Sequence, residues 1–215
     1  MARKRTYTLN ENAFSKIDTA NAAYWLGFLI ADGYVKTVPQ HLCSLKLNEK
    51  DKFHLEKFQT FLETNKPLFY RECKTPYGLA KSYQLDICGK KIVEDLISKG
   101  CVNKKSLITV FPTNQMVPNE FMADFIRGYF DGDGSIFLHK TGKVGINVCG
   151  TYEFLSELSL LIFGEVVCIY KEKRRSTNTW NWKFGGKRAK KFLEYIYNNS
   201  EIALDRKFEI YKNLK

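Results

Sequence analysis

The sequence predicts an α+β protein made of two like halves, each running helix, hairpin, helix, hairpin, helix. Three features carry that expectation. Trp25-Leu26-Gly27-Phe28-Leu29-Ile30-Ala31-Asp32-Gly33 and Ile126-Arg127-Gly128-Tyr129-Phe130-Asp131-Gly132-Asp133-Gly134 are near-copies, each an apolar run with a central glycine that ends in a carboxylate and a glycine. With Asp32 set on Asp133, the chain downstream follows in order: residues 45–49 fall on 146–150, Phe53 on Phe154 and Phe61 on Ile162. Residues 83–87 then match 180–184, and 103–106 match 205–208, with the small spacing changes that loop insertions produce.

Periodicity justifies each element. Tyr24, Trp25, Phe28 and Leu29 give the first repeat an apolar surface broad enough for burial on most sides. Gly33 and Gly134 suit a sharp exit from each helix, since glycine accepts the positive φ common just past a helix end. Cys43, Leu45 and Leu47 alternate with Ser44, Lys46 and Asn48, as in a strand with one buried and one polar face. The same alternation sets Tyr83, Leu85 and Ile87 against Gln84 and Asp86, and Trp180, Trp182 and Phe184 against Asn181 and Lys183. Segments 50–64, 151–163 and 187–198 have helical spacing with charged outer faces. The expected division is a first half over 1–111, a linker at 112–118 carrying Pro112 and Pro118, and a second half over 119–215.

Composition narrows the class. In 215 residues, 44% hydrophobic and 14% aromatic content can bury a core. Lys and Arg number 34 against 23 acidic residues, a net charge of +11 that favours a polyanionic partner. Six cysteines with no C-x-x-C pair argue against a zinc site and a disulfide framework, and read as reduced, mostly buried thiols of an intracellular protein. The basic start leads into polar residues instead of a signal core, and the most apolar run, 22–31, is far short of the ~20 residues that span a bilayer. The expected location is therefore cytoplasm, nucleoid or organelle matrix, neither secreted nor membrane-bound.

Gly27 and Gly128 occupy equivalent places, and a glycine inside a helix costs about 1 kcal/mol relative to alanine. Two in register point to helices packed closely through them. If the helices pack, Asp32 and Asp133 come together, and neighbouring carboxylates require a proton or a cation between them. Magnesium suits such a place, being hard, oxygen-seeking and content with one or two carboxylates plus phosphates. An EF-hand at residues 131–142 is excluded, because its sixth and twelfth places hold Ile136 and Gly142. Asp131 has Ile30 as its counterpart and is not expected to be catalytic.

Both copies resemble the signature of the LAGLIDADG homing endonucleases, and the resemblance covers most of the chain. It implies αββαββα halves related by pseudo-twofold symmetry, forming a saddle with antiparallel DNA-binding sheets and packed signature helices. It further implies Asp32 and Asp133 as catalytic metal ligands, joined by the carbonyls of Ala31 and Gly132, with Mg2+ or another divalent cation such as Mn2+. A catalytic lysine is implied at Lys105 and Lys207, with Lys104 and Arg206 as competing assignments. Glu49 stands where some relatives carry a polar residue, but its mate is Gly150.

Outward strand positions that could reach a major groove are Ser44, Lys46, Gln84, Asp86, Asn147, Asn181 and Lys183. Arg71, Lys74, Lys140, Lys171, Lys173, Arg174 and Arg175 lie near hairpin ends. Because the two halves differ at these places, the expected target is long and asymmetric. The resulting expectation is a monomeric, site-specific, metal-dependent endonuclease that cuts both strands of DNA. An RNA-binding intron maturase and a non-catalytic DNA-binding regulator are the alternatives. No protein-splicing blocks stand at either end, so an intact intein is not expected.

Overall fold

The computed structural model describes residues 5–76, 78–102, 108–138, 142–172 and 179–214. Its elements follow the expected order in each half. The first half runs α1 (Ala20–Asp32), β1 (Tyr34–Lys36), β2 (Leu42–Asn48), α2 (Lys52–Phe61), β3 (Phe69–Thr75), β4 (Gly78–Cys88) and α3 (Lys90–Ser98). The second runs α4 (Met122–Asp133), β5 (Gly134–Leu138), β6 (Val144–Gly150), α5 (Tyr152–Phe163), β7 (Ile169–Lys171), β8 (Trp180–Gly185) and α6 (Gly186–Tyr197). A further helix, α7 (Asp205–Lys212), extends the second half.

The chain packs into two compact units, and their boundary is not the boundary of the sequence repeat. One unit holds residues 1–16 and 32–103; the other holds 17–31 and 104–215. The body of α1 therefore belongs by packing to the second unit, although the repeat assigns it to the first half. Helix α1 is buried from Ala22 to Ala31, which demands a partner along its whole length. Its start is fixed by Thr19, whose hydroxyl accepts from the Ala22 amide at 3.1 Å.

In the first unit, the antiparallel sheet has the order β1-β2-β4-β3. Leu45 pairs with Leu85 and Cys43 with Ile87, so one face is apolar, and α2 and α3 cover it with Leu55, Phe58, Ile92, Val93 and Leu96. The N-terminal segment closes an edge of this core. Phe14 is fully buried against the Phe61 ring, and the Asn10 amide donates to the Leu62 carbonyl at 2.9 Å.

The second unit repeats the scheme with order β5-β6-β8-β7. Ile146 pairs with Phe184 and Val148 with Trp182, under Phe154, Leu155, Phe192 and Ile196. Thr151 caps α5 through the Phe154 amide at 3.2 Å, and Gly164 ends it in the left-handed conformation at φ 78°. Of the six cysteines, Cys43 and Cys101 are buried while Cys73 is exposed, so the expectation of mostly buried thiols is corrected. Among the described residues no helix is long and apolar enough to cross a membrane.

Candidate active centre and nucleic-acid interface

Helices α1 and α4 meet through their glycines, and the contact is reciprocal. A Cβ added to Gly27 would fall 2.9 Å from the Tyr129 amide nitrogen, with the Phe125 carbonyl nearer still. One added to Gly128 would fall 2.9 Å from the Phe28 amide nitrogen, with the Tyr24 carbonyl nearer still. Backbone touches backbone, so neither position has room for a side chain. The expected helix-packing role of Gly27 and Gly128 is what this geometry provides.

Each helix ends in its aspartate at the same distance past its crossing glycine. Asp32 is exposed and Asp133 half-buried. Ala31 is 9% exposed and Gly132 half-buried. The expected positive φ at the helix exits is corrected: neither Gly33 nor Gly134 has one. Gly134 is extended, at φ −94° and ψ 163°. It is glycine for want of space, since a Cβ there would lie 2.5 Å from the Phe130 carbonyl oxygen and against the Phe130 ring.

A polar network lies behind the end of α4. The Asp131 carboxylate, 1% exposed, accepts from the Tyr24 hydroxyl at 2.8 Å, the Tyr197 hydroxyl at 2.6 Å and the Leu204 amide at 2.8 Å. Burial raises its pKa above the ordinary carboxylate value, against the lowering effects of Lys207 and these donors. Arg127, 2% exposed, donates to the carbonyls of Ile202 at 2.6 Å and Ile196 at 2.8 Å, and pairs with Asp124. Burial pushes the Tyr129 phenol well above its ordinary pKa, with the charge of Asp133 adding; it donates to the Cys149 carbonyl at 2.8 Å.

Lys207, where the resemblance implies a catalytic lysine, is buried. It is 2% exposed, and its ammonium donates to the carbonyls of Phe130 at 2.6 Å, Asp131 at 2.7 Å and Gly134 at 2.6 Å. Its competitor Arg206 is exposed. Lys104 and Lys105 lie outside the described residues, as do Lys140, Lys173, Arg174 and Arg175.

The polar sheet faces are built by register. In the first sheet Lys46 stands opposite Gln84, and Gln84 opposite Phe69; Asn48 stands opposite Ser82, and Ser82 opposite Arg71. Lys46, Asn48, Phe69, Arg71 and Ser82 are among the residues that line a groove of about 660 Å³. The Arg71 guanidinium sits 5.0 Å from the centre of the Phe69 ring. Ser44 is only 8% exposed and accepts from Gln84 Nε2 at 2.9 Å, while Gln84 also donates to Asp86 at 2.7 Å. In the second sheet Ser135, Asn147 and Lys183 form one row. Asn181 is 5% exposed and held by Glu172 and Cys149, so it offers little to a ligand.

Two residues expected to reach DNA fall on the other face. Lys74 alternates with Arg71 and Cys73 and shares the side of Tyr70 and Glu72. Lys171 shares the side of Ile169 and packs by Trp180, at 6.0 Å from its ring centre. Both departures follow from the strict two-residue period of a strand. Tyr24, Arg127, Asp131 and Tyr197 have no site role in the expectation from sequence, yet they build the network behind the end of α4. Their signal was present: Arg127 and Asp131 are charges within a buried apolar helix, and such charges need partners.

Comparison with known proteins places these features. Residues 120–197 match the LAGLIDADG-like domain family. Two proteins of Methanocaldococcus jannaschii are similar over part of their length. The DNA-directed RNA polymerase subunit Rpo1C is 28% identical over 175 residues, 80% of this chain and 19% of that protein. Glutamine–fructose-6-phosphate aminotransferase is 26% identical over 188 residues, 83% of this chain and 16% of that protein. Among solved structures, the homing endonuclease I-WcaI bound to its DNA recognition sequence matches with TM-score 0.62 and 14% identity, over 90% of this chain and 87% of that one. The LAGLIDADG homing endonuclease I-GzeII in complex with its DNA target matches with TM-score 0.53 and 12% identity, over 89% and 87%. Residues 120–197 are thus similar to the LAGLIDADG-like domain family, and the chain has the fold of the LAGLIDADG homing endonucleases.

Proposed function

We propose that this protein is a site-specific endonuclease that breaks both strands of a long, asymmetric DNA target by metal-dependent phosphodiester hydrolysis. The observation that carries the reading is the reciprocal glycine crossing of α1 and α4, with one aspartate at the same distance past each glycine. Two helices forced together at their backbones to present two acids make little sense as packing alone. Both helices come from one chain, so the reading calls for no second copy of the protein.

Asp32 and Asp133, with the carbonyls of Ala31 and Gly132, would hold Mg2+ or Mn2+. The donor set fits a hard divalent ion: all oxygen, with two carboxylates. Among the described residues there is no cluster of three or more His, Cys, Asp or Glu that could cage a metal, and magnesium needs none, since water and substrate phosphates complete its shell. When bound, the ion supplies electrostatic stabilisation of the charge that develops on the phosphate and the departing oxygen. Either carboxylate would offer it an oxygen ligand of full negative charge. Lys105 is the basic residue we assign to the phosphate. The sheet rows around Lys46 and Arg71, and around Asn147 and Lys183, hold the duplex and distinguish base edges.

The chain spans less than a fifth of each curated relative it matches, and those two relatives are named for unrelated chemistry. A segment shared by such proteins is a portable unit, which supports a mobile nuclease over either named activity. The test is cleavage of a randomised duplex library with Mg2+ by the parent, Asp32→Asn and Asp133→Asn. Recovery of one long, non-palindromic site cut by the parent alone supports the reading. Equal cutting by the variants removes it.

A further inference from the structure

We propose that Lys207 is a positioning residue: it holds the end of α4, and with it Gly132 and Asp133, from behind, without touching the substrate. The enzymatic half of this role rests on the endonuclease reading; the geometric half rests on α4 alone.

A helix leaves its last carbonyls without partners inside the helix, and a left-handed glycine commonly closes the gap. Helix α4 lacks that device, because Gly134 is extended and the chain runs directly from Asp133 into β5. The Gly134 amide reaches the Phe130 carbonyl, and Lys207 adds a second donor there, takes up the next carbonyl, that of Asp131, and ties both to the first carbonyl of β5. An ammonium has three N–H groups, and here the three accepting carbonyls belong to Phe130, Asp131 and Gly134, on both sides of the Gly132–Asp133 peptide. No proton is left over for a phosphate oxygen or a water. Its positive charge also complements the negative end of the helix dipole.

The segment that delivers Lys207 is itself seated on α4. Leu204, the residue before α7, donates its amide to Asp131, while Arg127 holds the carbonyls of Ile196 and Ile202. Tyr24 of α1 donates to the same Asp131 carboxylate, which ties the clamp to the helix crossing. In α1 the position of Asp131 is taken by Ile30, so this anchor is particular to the second acid.

A clamp and a catalytic lysine differ in what their loss changes. The test compares the parent with Lys207→Met, Lys207→Arg and Tyr197→Phe. The first readout is amide hydrogen exchange at residues 131–135, without DNA or metal. The second is the Mg2+ concentration for half-maximal cleavage of the selected duplex, and the third is the rate at saturating Mg2+. Lys207→Met should speed local exchange and raise the half-saturating Mg2+ about 10-fold, the usual order for losing a partner that orients a metal ligand. Its rate at saturating Mg2+ should return close to the parent's. Tyr197→Phe, which loosens only the Asp131 anchor, should shift both quantities the same way by less, and Lys207→Arg should restore part of the loss. A lower melting temperature with unchanged exchange and Mg2+ dependence would overturn the clamp. So would a collapsed saturated rate with both unchanged. Should Lys207→Met fail to fold, Tyr197→Phe decides. If the parent cuts no duplex, the endonuclease reading falls, and the exchange measurement still decides the clamp.

Discussion

Replacing Gly27 by alanine tests the crossing on which the candidate site depends. The added methyl would sit 2.9 Å from the Tyr129 amide nitrogen and closer to the Phe125 carbonyl. Both obstacles are main chain of a buried helix, so no flexible side chain can swing away. The helices must part by roughly an ångström, against the close packing normal to protein interiors. Overpacking of this kind costs about 3 kcal/mol, the upper end of the usual range. Alanine returns about 1 kcal/mol through its better helix propensity. The net expectation is a loss of about 2 kcal/mol for Gly27→Ala, and the same for Gly128→Ala. Urea unfolding followed by tryptophan fluorescence suits the measurement, because Trp25, Trp180 and Trp182 all lie in the unit that contains the crossing. The double variant should lose about 1 kcal/mol less than the sum, since helices parted by one methyl have room for the second. A Gly27→Ala protein as stable as the parent, or more so, would refute the crossing. Strict additivity would refute its reciprocity.

Other expectations follow from the same structure. Asp32→Asn and Asp133→Asn should each reduce cleavage by at least about 100-fold while leaving duplex binding within about threefold, measured by gel shift beside the cleavage assay. Arg71→Ala and Lys46→Ala should weaken duplex binding and lower the salt slope by about one unit for each phosphate left without its cation. Lys74→Ala, on the opposite face, should change neither, and an equal effect at Lys74 would contradict the register. Asp95 provides a pH test. Burial raises its pKa, but hydrogen bonds from Lys91 and Ser15 outweigh that and hold it below the ordinary value. A depressed folded pKa contributes stability above the unfolded value and loses it as pH falls through the folded one. Asp95→Asn should therefore be about 1 kcal/mol less stable than the parent at pH 7, with the gap closing below about pH 4.

Much of the fold was legible in the sequence because its signals are local. The alternation of Cys43, Leu45 and Leu47 gave β2 and its buried face, and the spacing at 151–163 gave α5 almost to the residue. The match of Asp32 to Asp133 gave both signature helices, since a repeat tests each reading against its copy. The extended Gly134 is not legible in the sequence, because a glycine required by space and one required by positive φ look alike there. Only the register puts Lys74 on the side of Tyr70 and Lys171 on that of Ile169, because one residue of slip reverses a strand's faces. The compact units departed from the repeat because α1 is bound by its partner helix more than by its neighbours along the chain.

What the sequence determined by itself is the doubled architecture, the paired glycines and the paired acids. All of these are patterns along one dimension, and each copy vouches for the other. What only the tertiary structure decided is the surroundings of the second acid: Lys207 capping carbonyls of α4, Asp131 gathering Tyr24, Tyr197 and Leu204, and Arg127 holding the segment before α7. These partners are separated by as many as 107 residues, as Tyr24 is from Asp131. No repeat relates them, because Ile30 stands where Asp131 would be copied. Burial made those interactions obligatory, and burial is known only once the chain has folded.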